Sequence, residues 1–168
     1  YKRQPIGDMY LPVELIKENL FIRRLAKYGF KGYITRFIKE VKYSEEALNL
    51  LWIEFIKYRI IYDFEFWAYS FIFIKDKVSP KDIPFKLNRA QRRVLNKLEK
   101  LRKAGKPIKF ILLKARQWGG STLVQIYMLW IMLVHRRNWN TVICGDVETQ
   151  SRNVRAMITK ALNKYPSY

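Results

Sequence analysis

Two glycines followed by two hydroxyl residues are the part of this chain whose residue types and spacing could do chemistry. In the stretch "LLKARQWGGSTLV", Gly119 and Gly120 precede Ser121 and Thr122. Glycine lets a backbone approach a phosphate closely, and the N–H groups at the start of a following helix attract its negative charge. A hydroxyl in the first helical turn is a ligand for the Mg²⁺ that accompanies nucleotide phosphates. The stretch therefore predicts a phosphate-binding loop.

This loop departs from the standard pattern G-x-x-x-x-G-K-[ST] at two positions. Lys114 stands where the first glycine belongs, and Gly120 stands where the lysine belongs. Lys114 and Arg116 lie just upstream and could supply the missing positive charge. Arg116 is the better choice because its planar guanidinium can hold two phosphate oxygens together. From the pattern alone, a glycine turn that binds no ligand is the alternative.

The segments around the loop alternate between strand-like and helix-like patterns. An apolar run at 108–113 predicts a buried strand before the loop, and a helix is expected from about 121 to 134. A second strand at 141–144 and a last helix, which Asp146 could cap, follow. Such alternation predicts an α/β fold in which helices cover a mostly parallel sheet.

The residues before the loop predict helices. Pro12 can start one that stops at Gly29, a second is expected over 33–41, and Ser44 caps a third. The aromatic run at 64–73 fits a helix or a strand, and we expect its rings to lie in the core rather than to stack on nucleic acid.

A change of pattern follows at Pro80 and Pro84, where 83–87 predict a short extended piece. Asn88 then begins a helix with one apolar face, which stops at Gly105. Gln91 lies three residues after Asn88, so the two residues also fit a capping box.

Composition limits the possible partners. The 168 residues are 49% hydrophobic and carry a formal net charge of +19, which indicates one domain or slightly more with a real core. So large a positive charge favours nucleic acid first and an anionic membrane second. The longest apolar run, 126–134, is too short to cross a bilayer, which needs ~20 residues.

The single Cys144, expected in a buried strand, excludes an internal disulfide and indicates a reducing compartment. The single His135 fits the last turn of a helix.

Three stretches in order resemble phage large terminases, the ATP-driven motors that package DNA into virus capsids. "KARQWGGST" resembles their deviant Walker A loop, in which an R-Q pair precedes G-[KG]-[ST]-T. Upstream, "IPFKLNRAQRRVL" is similar to their "PFxLxxxQ", and downstream "TVICGDVETQSRNVRAMI" matches their second strand and helix. The resemblance covers 83 to about 160. The residues before it resemble only the helical lead-in of some members, especially those of tailed phages of gut Bacteroidetes.

The resemblance implies an ATP site with Mg²⁺. Gln91 would contact adenine, and Arg116, the implied catalytic residue, would sense or clamp the γ-phosphate. Ser121 would ligate Mg²⁺, and Thr122 would donate to the α-phosphate. The implied ATP-binding set is Gln91, Lys114, Arg116, Gln117, Trp118, Gly119, Gly120, Ser121 and Thr122.

The implied fold is a P-loop NTPase of the ASCE type, a partial parallel sheet with helices on its faces after a helical N-terminal region. Residues 1–80 would be the lead-in, and 81–168 the first half of the ATPase domain. No apolar strand ends in the Asp-Glu pair that such a motor needs to hold magnesium and polarise water. We therefore expect that pair and the nuclease domain beyond residue 168, and no ATP turnover by these residues alone.

The implied function is the ATP-binding part of a packaging motor that moves double-stranded DNA into a prohead in the host cytoplasm. Its partners would be DNA, the portal, a small terminase subunit and sister subunits in a homo-oligomeric ring, with no membrane. Two alternatives remain open, a superfamily-2-type helicase fragment and a basic nucleic-acid-binding module without ATPase activity. A peripheral membrane protein is disfavoured because no single helix is strongly basic and amphipathic.

Overall fold

A computed structural model describes residues 3–6, 9–38, 44–76, 79–113, 118–136, 138–145 and 147–166. The chain divides into two compact units, the first ending at Asp63 and the second beginning at Phe64. The secondary structure of the first unit is β1 (Arg3–Ile6), β2 (Met9–Pro12), α1 (Val13–Glu18), α2 (Leu20–Phe37) and α3 (Glu45–Tyr62). That of the second is α4 (Phe64–Phe71), β3 (Phe73–Lys75), β4 (Asp82–Pro84), α5 (Arg89–Lys103), α6 (Gly120–Trp130), a π-helical turn (Ile131–His135) and α7 (Glu148–Asn163).

The first unit opens with a β-hairpin that the sequence did not predict. β1 and β2 pair antiparallel, with Arg3 opposite Pro12 and Ile6 opposite Met9. The two strands are four residues long and show no clear alternation of polar and apolar residues, so the usual strand signal is missing. The expectation that this region is only helical is therefore wrong, although α1 does begin directly after Pro12.

Two of the predicted helix boundaries in this unit are confirmed. Gly29 has φ 68° and ψ 176°, which breaks α2 into two helical stretches at the predicted stop. Glycine adopts such a positive φ without the steric cost that a Cβ would bring. Ser44 caps α3, because its hydroxyl accepts a hydrogen bond of 3.1 Å from the backbone N–H of Ala47.

A buried carboxylate ties the end of α3 to the hairpin. Asp63 has no exposed surface, and Arg3 donates to its two oxygens at 3.0 and 2.7 Å. Arg59 donates to Oδ2 at 3.1 Å. The apolar core around which these elements pack consists of Leu11, Leu15, Ile16, Ile22, Leu25, Ile34, Ala47, Leu51 and Phe55.

The second unit begins with the aromatic run, which forms both predicted structures. Its first part is helix α4, and its last residue, Phe73, begins strand β3, which pairs antiparallel with β4 so that Phe73 lies opposite Pro84. The ring of Phe64 packs 5.6 Å from Tyr127 and 5.4 Å from Trp130 between centroids. Phe64 and Trp67 are buried, as expected of core aromatics. The predicted lead-in, 1–80, thus includes two elements, α4 and β3, that belong to the later compact unit.

The apolar runs expected to form two buried strands have no regular secondary structure. Ile111 and Leu113 are each 99% exposed, Val142 is 81% exposed, and Cys144 is exposed as well. The expectations of buried strands at 108–113 and 141–144 and of a buried cysteine are wrong for this structure. A parallel strand forms only beside hydrogen-bonded neighbours and under covering helices, and both described sheets are antiparallel hairpins. A parallel sheet therefore stays a prediction.

The helices on either side of these runs agree with the sequence patterns. α6 and the π-helical turn span the predicted helix at 121–134, and His135 lies in the last turn. α5 begins after Asn88 and ends just before Gly105. α7 starts at Glu148, while Asp146, its predicted cap, lies outside the described residues.

Candidate nucleotide-binding site

Helix α5 begins in a complete capping box. Asn88 Oδ1 accepts a hydrogen bond of 2.9 Å from the backbone N–H of Gln91, and Gln91 Oε1 accepts one of 2.9 Å from the N–H of Asn88. The first turn of a helix leaves N–H groups without intrahelical partners, and this pair satisfies one such group and that of the cap itself. The capping role that the N-x-x-Q spacing indicated is therefore confirmed.

The same two side chains also bind the glycine loop. Gln91 Nε2 donates to the carbonyl oxygen of Gly119 at 2.9 Å, and Asn88 Nδ2 donates to that of Trp118 at 3.1 Å. Gln91 is only 4% exposed. Two motifs that lie 28 residues apart in the sequence thus meet through direct hydrogen bonds. The second role of Asn88, as a support for the loop, was missed from the sequence because nothing local to Asn88 indicates it.

Gly119 is the residue at which the loop turns into α6. Its backbone is left-handed, with φ 81° and ψ 23°, and it is the N-cap of the helix. A Cβ on Gly119 would lie 2.7 Å from Gln91 Nε2, closer than real Cβ contacts allow. The backbone conformation therefore favours glycine here, and a Cβ would also displace the Gln91 amide. By contrast, Gly120, predicted alongside it, is the first residue of α6 and is buried.

The first turn of α6 presents the predicted hydroxyl groups. Ser121 is exposed and Thr122 is half-buried. The N-cap is a glycine, so no side chain caps the first N–H groups of the helix. These groups carry the partial positive charge of the helix N-terminus, which attracts anions. An exposed hydroxyl beside them suits a phosphate and its bound Mg²⁺ chemically.

Three predicted site residues, Lys114, Arg116 and Gln117, lie outside the described residues. Trp118, which follows them, is half-buried, and its indole N–H is buried without a hydrogen-bond partner among the described residues. Of the nine residues in the predicted ATP-binding set, the structure thus brings together Gln91 and the run from Trp118 to Thr122.

A buried polar network joins α5 to α6. The Tyr127 hydroxyl donates to Glu99 Oε1 at 2.7 Å, and Arg102 donates to both oxygens of Glu99 at 2.8 and 2.7 Å. The Arg102 guanidinium also lies 5.3 Å from the centroid of the Trp130 ring. Burial, and then the negative charge of Glu99, raises the pKa of Tyr127 well above its ordinary value of 10.0. Hydrogen bonding to Glu99 raises the pKa of Arg102.

Sequence reasoning missed this network, although one signal for it was present. Glu99 is the only acidic residue in α5, and it directly follows Leu98 on the apolar face of the helix. A single carboxylate on a face that is otherwise apolar needs a buried partner of its own.

A second ion-pair group joins β4 to α7 in the same unit. Lys160 and Lys164 both bind the carboxylate of Asp82. Hydrogen bonding to Lys160, and then to Lys164, lowers the pKa of Asp82 below its ordinary value. The two lysines at the C-terminal end of α7 thus share one negative charge within the chain.

Comparison with known proteins gives no relative for this arrangement, because no family model, no curated protein and no solved structure matches the chain. None of the helices in the described ranges combines the length and apolar content needed to cross a membrane. The same ranges contain no group of three or more His, Cys, Asp or Glu side chains placed to hold a metal ion.

Proposed function

We propose that this chain is the ATP-binding part of a viral DNA-packaging motor of the large terminase kind. The observation that carries the proposal is the hydrogen bond from Gln91 Nε2 to the carbonyl oxygen of Gly119. It joins the glutamine motif to the glycine loop, the two motifs that the resemblance assigns to opposite ends of one ATP molecule. Exposed Ser121 lies in the helical turn that follows directly.

In this proposal the loop and the first turn of α6 bind the phosphates of ATP. Backbone N–H groups at the helix N-terminus attract the phosphate charge, and Gly119 keeps the loop open for close approach. Ser121 ligates Mg²⁺, Thr122 donates to the α-phosphate, and Arg116 or Lys114 supplies the cation that Gly120 lacks. Bound Mg²⁺ would neutralise charge on the phosphate oxygens.

In this proposal Gln91 contacts adenine through the hydrogen-bonding groups of its side-chain amide that the structure leaves unused. An amide carries two N–H donors and an oxygen with two lone pairs. The structure uses one donor on Gly119 and one lone pair on the N–H of Asn88. One donor and one lone pair are left, which matches the paired donor and acceptor on the edge of adenine. Since Gln91 is 4% exposed, adenine contact requires the Gln91 amide to become accessible.

The wider proposal follows the resemblance. The full protein would be an ATPase with an endonuclease domain, built on an ASCE-type parallel sheet. It would work in the host cytoplasm as a ring of subunits on the portal of a prohead, with a small terminase subunit and double-stranded DNA as partners. A superfamily-2-type helicase would share the glutamine, the loop and the ATP site. A D-E-x-[DH] box and a second motor domain would distinguish such a helicase.

A basic nucleic-acid-binding module without ATPase activity is the second candidate function. One observation favours it: the capping box and the loop contacts already engage both polar atoms of the Gln91 side chain. In that case the glycine loop is only a turn that leads into α6, and the charge of +19 carries the function.

The deciding experiment measures ATP binding by titration calorimetry with and without Mg²⁺. The variants are Ser121→Ala and, as a control, Thr149→Ala. Thr149 is also an exposed hydroxyl residue at the second position of a helix, α7. We expect Mg²⁺-dependent binding that Ser121→Ala weakens roughly tenfold, equal to about 1.4 kcal/mol, while Thr149→Ala leaves it unchanged. No ATP binding at millimolar concentration, or equal effects of the two variants, would favour the module without ATPase activity.

A further inference from the structure

Helix α5 carries a line of basic side chains on the face opposite its apolar core residues, so the expectation that no single helix is strongly basic and amphipathic is wrong. These residues follow one another at spacings of four, four and three, which keeps them on one side of an α-helix. All are exposed, whereas Val94, Leu95 and Leu98 face the core. The line, called here the α5 stripe, consists of Arg89, Arg93, Lys97 and Lys100. At 1.5 Å per residue it extends for about 16 Å.

The charge of the α5 stripe is not neutralised by the described part of the chain. None of its four side chains forms an ion pair or a hydrogen bond with another described residue, and the only acid in α5, Glu99, is buried and bound to Arg102. On α7, by contrast, Arg152 pairs with Glu148, and Lys160 shares Asp82 with Lys164, the C-cap of the helix. The stripe is therefore the more strongly attractive of the two surfaces for an anion.

We propose that the α5 stripe binds the phosphate backbone of duplex DNA. The inference rests on the proposed function for the identity of the partner, and it adds the surface that binds it. Lysine and arginine side chains on a rigid helix contact phosphates without reading the sequence, as a packaging motor requires.

The composition of the exposed face favours a duplex over other polyanions. α5 contains no aromatic residue and exposes no large apolar side chain. Proteins that bind single strands usually stack bases on aromatic rings. Helices that bind membranes insert apolar side chains. Neither feature is present on this helix.

The α5 stripe lies on the same helix as the side chain that binds the nucleotide loop. The first turn of α5 holds Gln91, whose amide binds Gly119, and the stripe begins at Arg89 in the same turn. DNA on the stripe and a nucleotide at the loop would therefore contact one helix, so a shift of α5 would reach both.

The test compares two double variants that each remove two positive charges. Arg93→Gln/Lys97→Gln changes the stripe. Lys57→Gln/Arg152→Gln is the control, since both residues are exposed and paired with a glutamate. DNA affinity is measured by fluorescence anisotropy on a short duplex over a series of salt concentrations. Each lost phosphate contact should reduce the log–log salt slope by ~0.9, so we expect a reduction of about 1.8 in the stripe variant and none in the control.

A charge-preserving variant and two other ligands distinguish failure of the stripe proposal from failure of the proposed function. Arg93→Lys/Lys97→Arg keeps the charges and should keep the slope, and melting temperatures should match the wild type because the changed side chains have no described partners. Equal slope reductions in stripe and control variants would overturn the proposal, as would equally stripe-dependent binding of single-stranded DNA or anionic vesicles. If ATP binds but the stripe variant binds DNA as tightly as the wild type, only the proposal for the α5 stripe is contradicted. If no ATP binds and the stripe variant loses DNA affinity, only the proposed function fails.

Discussion

The contact with the Gln91 amide makes a substitution at Gly119 more costly than one at another left-handed glycine. Gly105 has φ 65° and nothing within 4 Å of the position that a Cβ would take, whereas a Cβ on Gly119 meets Gln91 Nε2 at 2.7 Å. Gly105→Ala should therefore lose only the left-handed strain, roughly 1–2 kcal/mol. Gly119→Ala should lose that and the hydrogen bond from Gln91, about 1 kcal/mol more. Urea unfolding of the two variants measures the difference.

Equal losses at the two positions would mean that the Gln91 amide moves aside without cost. A double variant, Gly119→Ala/Gln91→Ala, separates the two contributions. If the amide is the obstacle, the combined loss is smaller than the sum of the single losses, because residues in contact are not additive.

At the scale of elements, the contact between α5 and α6 depends on a hydroxyl that must stay protonated. The pKa of Tyr127 is raised above its ordinary value of 10.0 by burial and by the Glu99 carboxylate. A folded-state pKa above the unfolded value gives stability that is complete below pH 10 and is lost as pH rises towards the folded value. Alkaline pH should therefore loosen this contact.

Tyr127→Phe tests this directly. At pH 8 the variant should be less stable by about 1.5 kcal/mol, the value of a hydrogen bond to a charged group. Above pH 10 the advantage of the wild type should shrink by at most about 1.4 kcal/mol per pH unit. The measurement is the free energy of unfolding in urea from pH 8 to 11. Tyr58→Phe is the control, since the Tyr58 ring packs near Tyr62 and its hydroxyl has no hydrogen-bond partner among the described residues. A constant difference across this pH range would contradict the prediction.

The sequence predicts the parts of these elements that depend on near neighbours. The caps at Ser44 and Asn88, the break at Gly29 and the end of α5 before Gly105 all follow from residues within one turn of the boundary. The contact of Tyr127 with Glu99 joins residues 28 apart, and no local pattern encodes it. Similarly, the sequence alone indicated two uses for Gln91, and only the packed structure shows its amide on Gly119.

The predicted strand at 108–113 shows why features that depend on distant residues could not be predicted from the sequence. Its apolar composition was read correctly, but a strand is stabilised by partners distant in sequence, and the described residues supply none. β-propensity reflects a residue's fit to a pleated, half-buried surface and is not an intrinsic backbone preference. In the candidate site, the glycine and hydroxyl groups lie within the described residues, whereas the cations lie outside them and stay predictions.

For the molecule as a whole, these exposed apolar residues predict self-association. Ile111 and Leu113 are each 99% exposed in a segment without regular secondary structure. Such a segment offers backbone donors and acceptors together with apolar side chains, which is a template for pairing with another chain. We expect Ile111→Lys/Leu113→Lys to raise the concentration at which aggregates form in light scattering.

Leu50→Lys/Ile53→Lys is the matched control. These residues are 65% and 50% exposed on α3, where the backbone groups are already bonded within the helix. The control adds the same charge but leaves 108–113 intact, so it should have the smaller effect. Equal improvement by both variants would show that added charge alone limits aggregation.

The double use of Asn88 has a consequence for the order of folding events. Its bond to Gln91 closes over three residues, whereas its bond to Trp118 closes over thirty. A helix turn forms within about a microsecond, but contacts between residues far apart must wait for chain collapse and a larger entropy loss. Removing the acceptor Oδ1 should therefore slow refolding, while removing only the donor Nδ2, as in Asn88→Asp, should mainly speed unfolding. One side chain would thus influence the two rate constants through two different atoms.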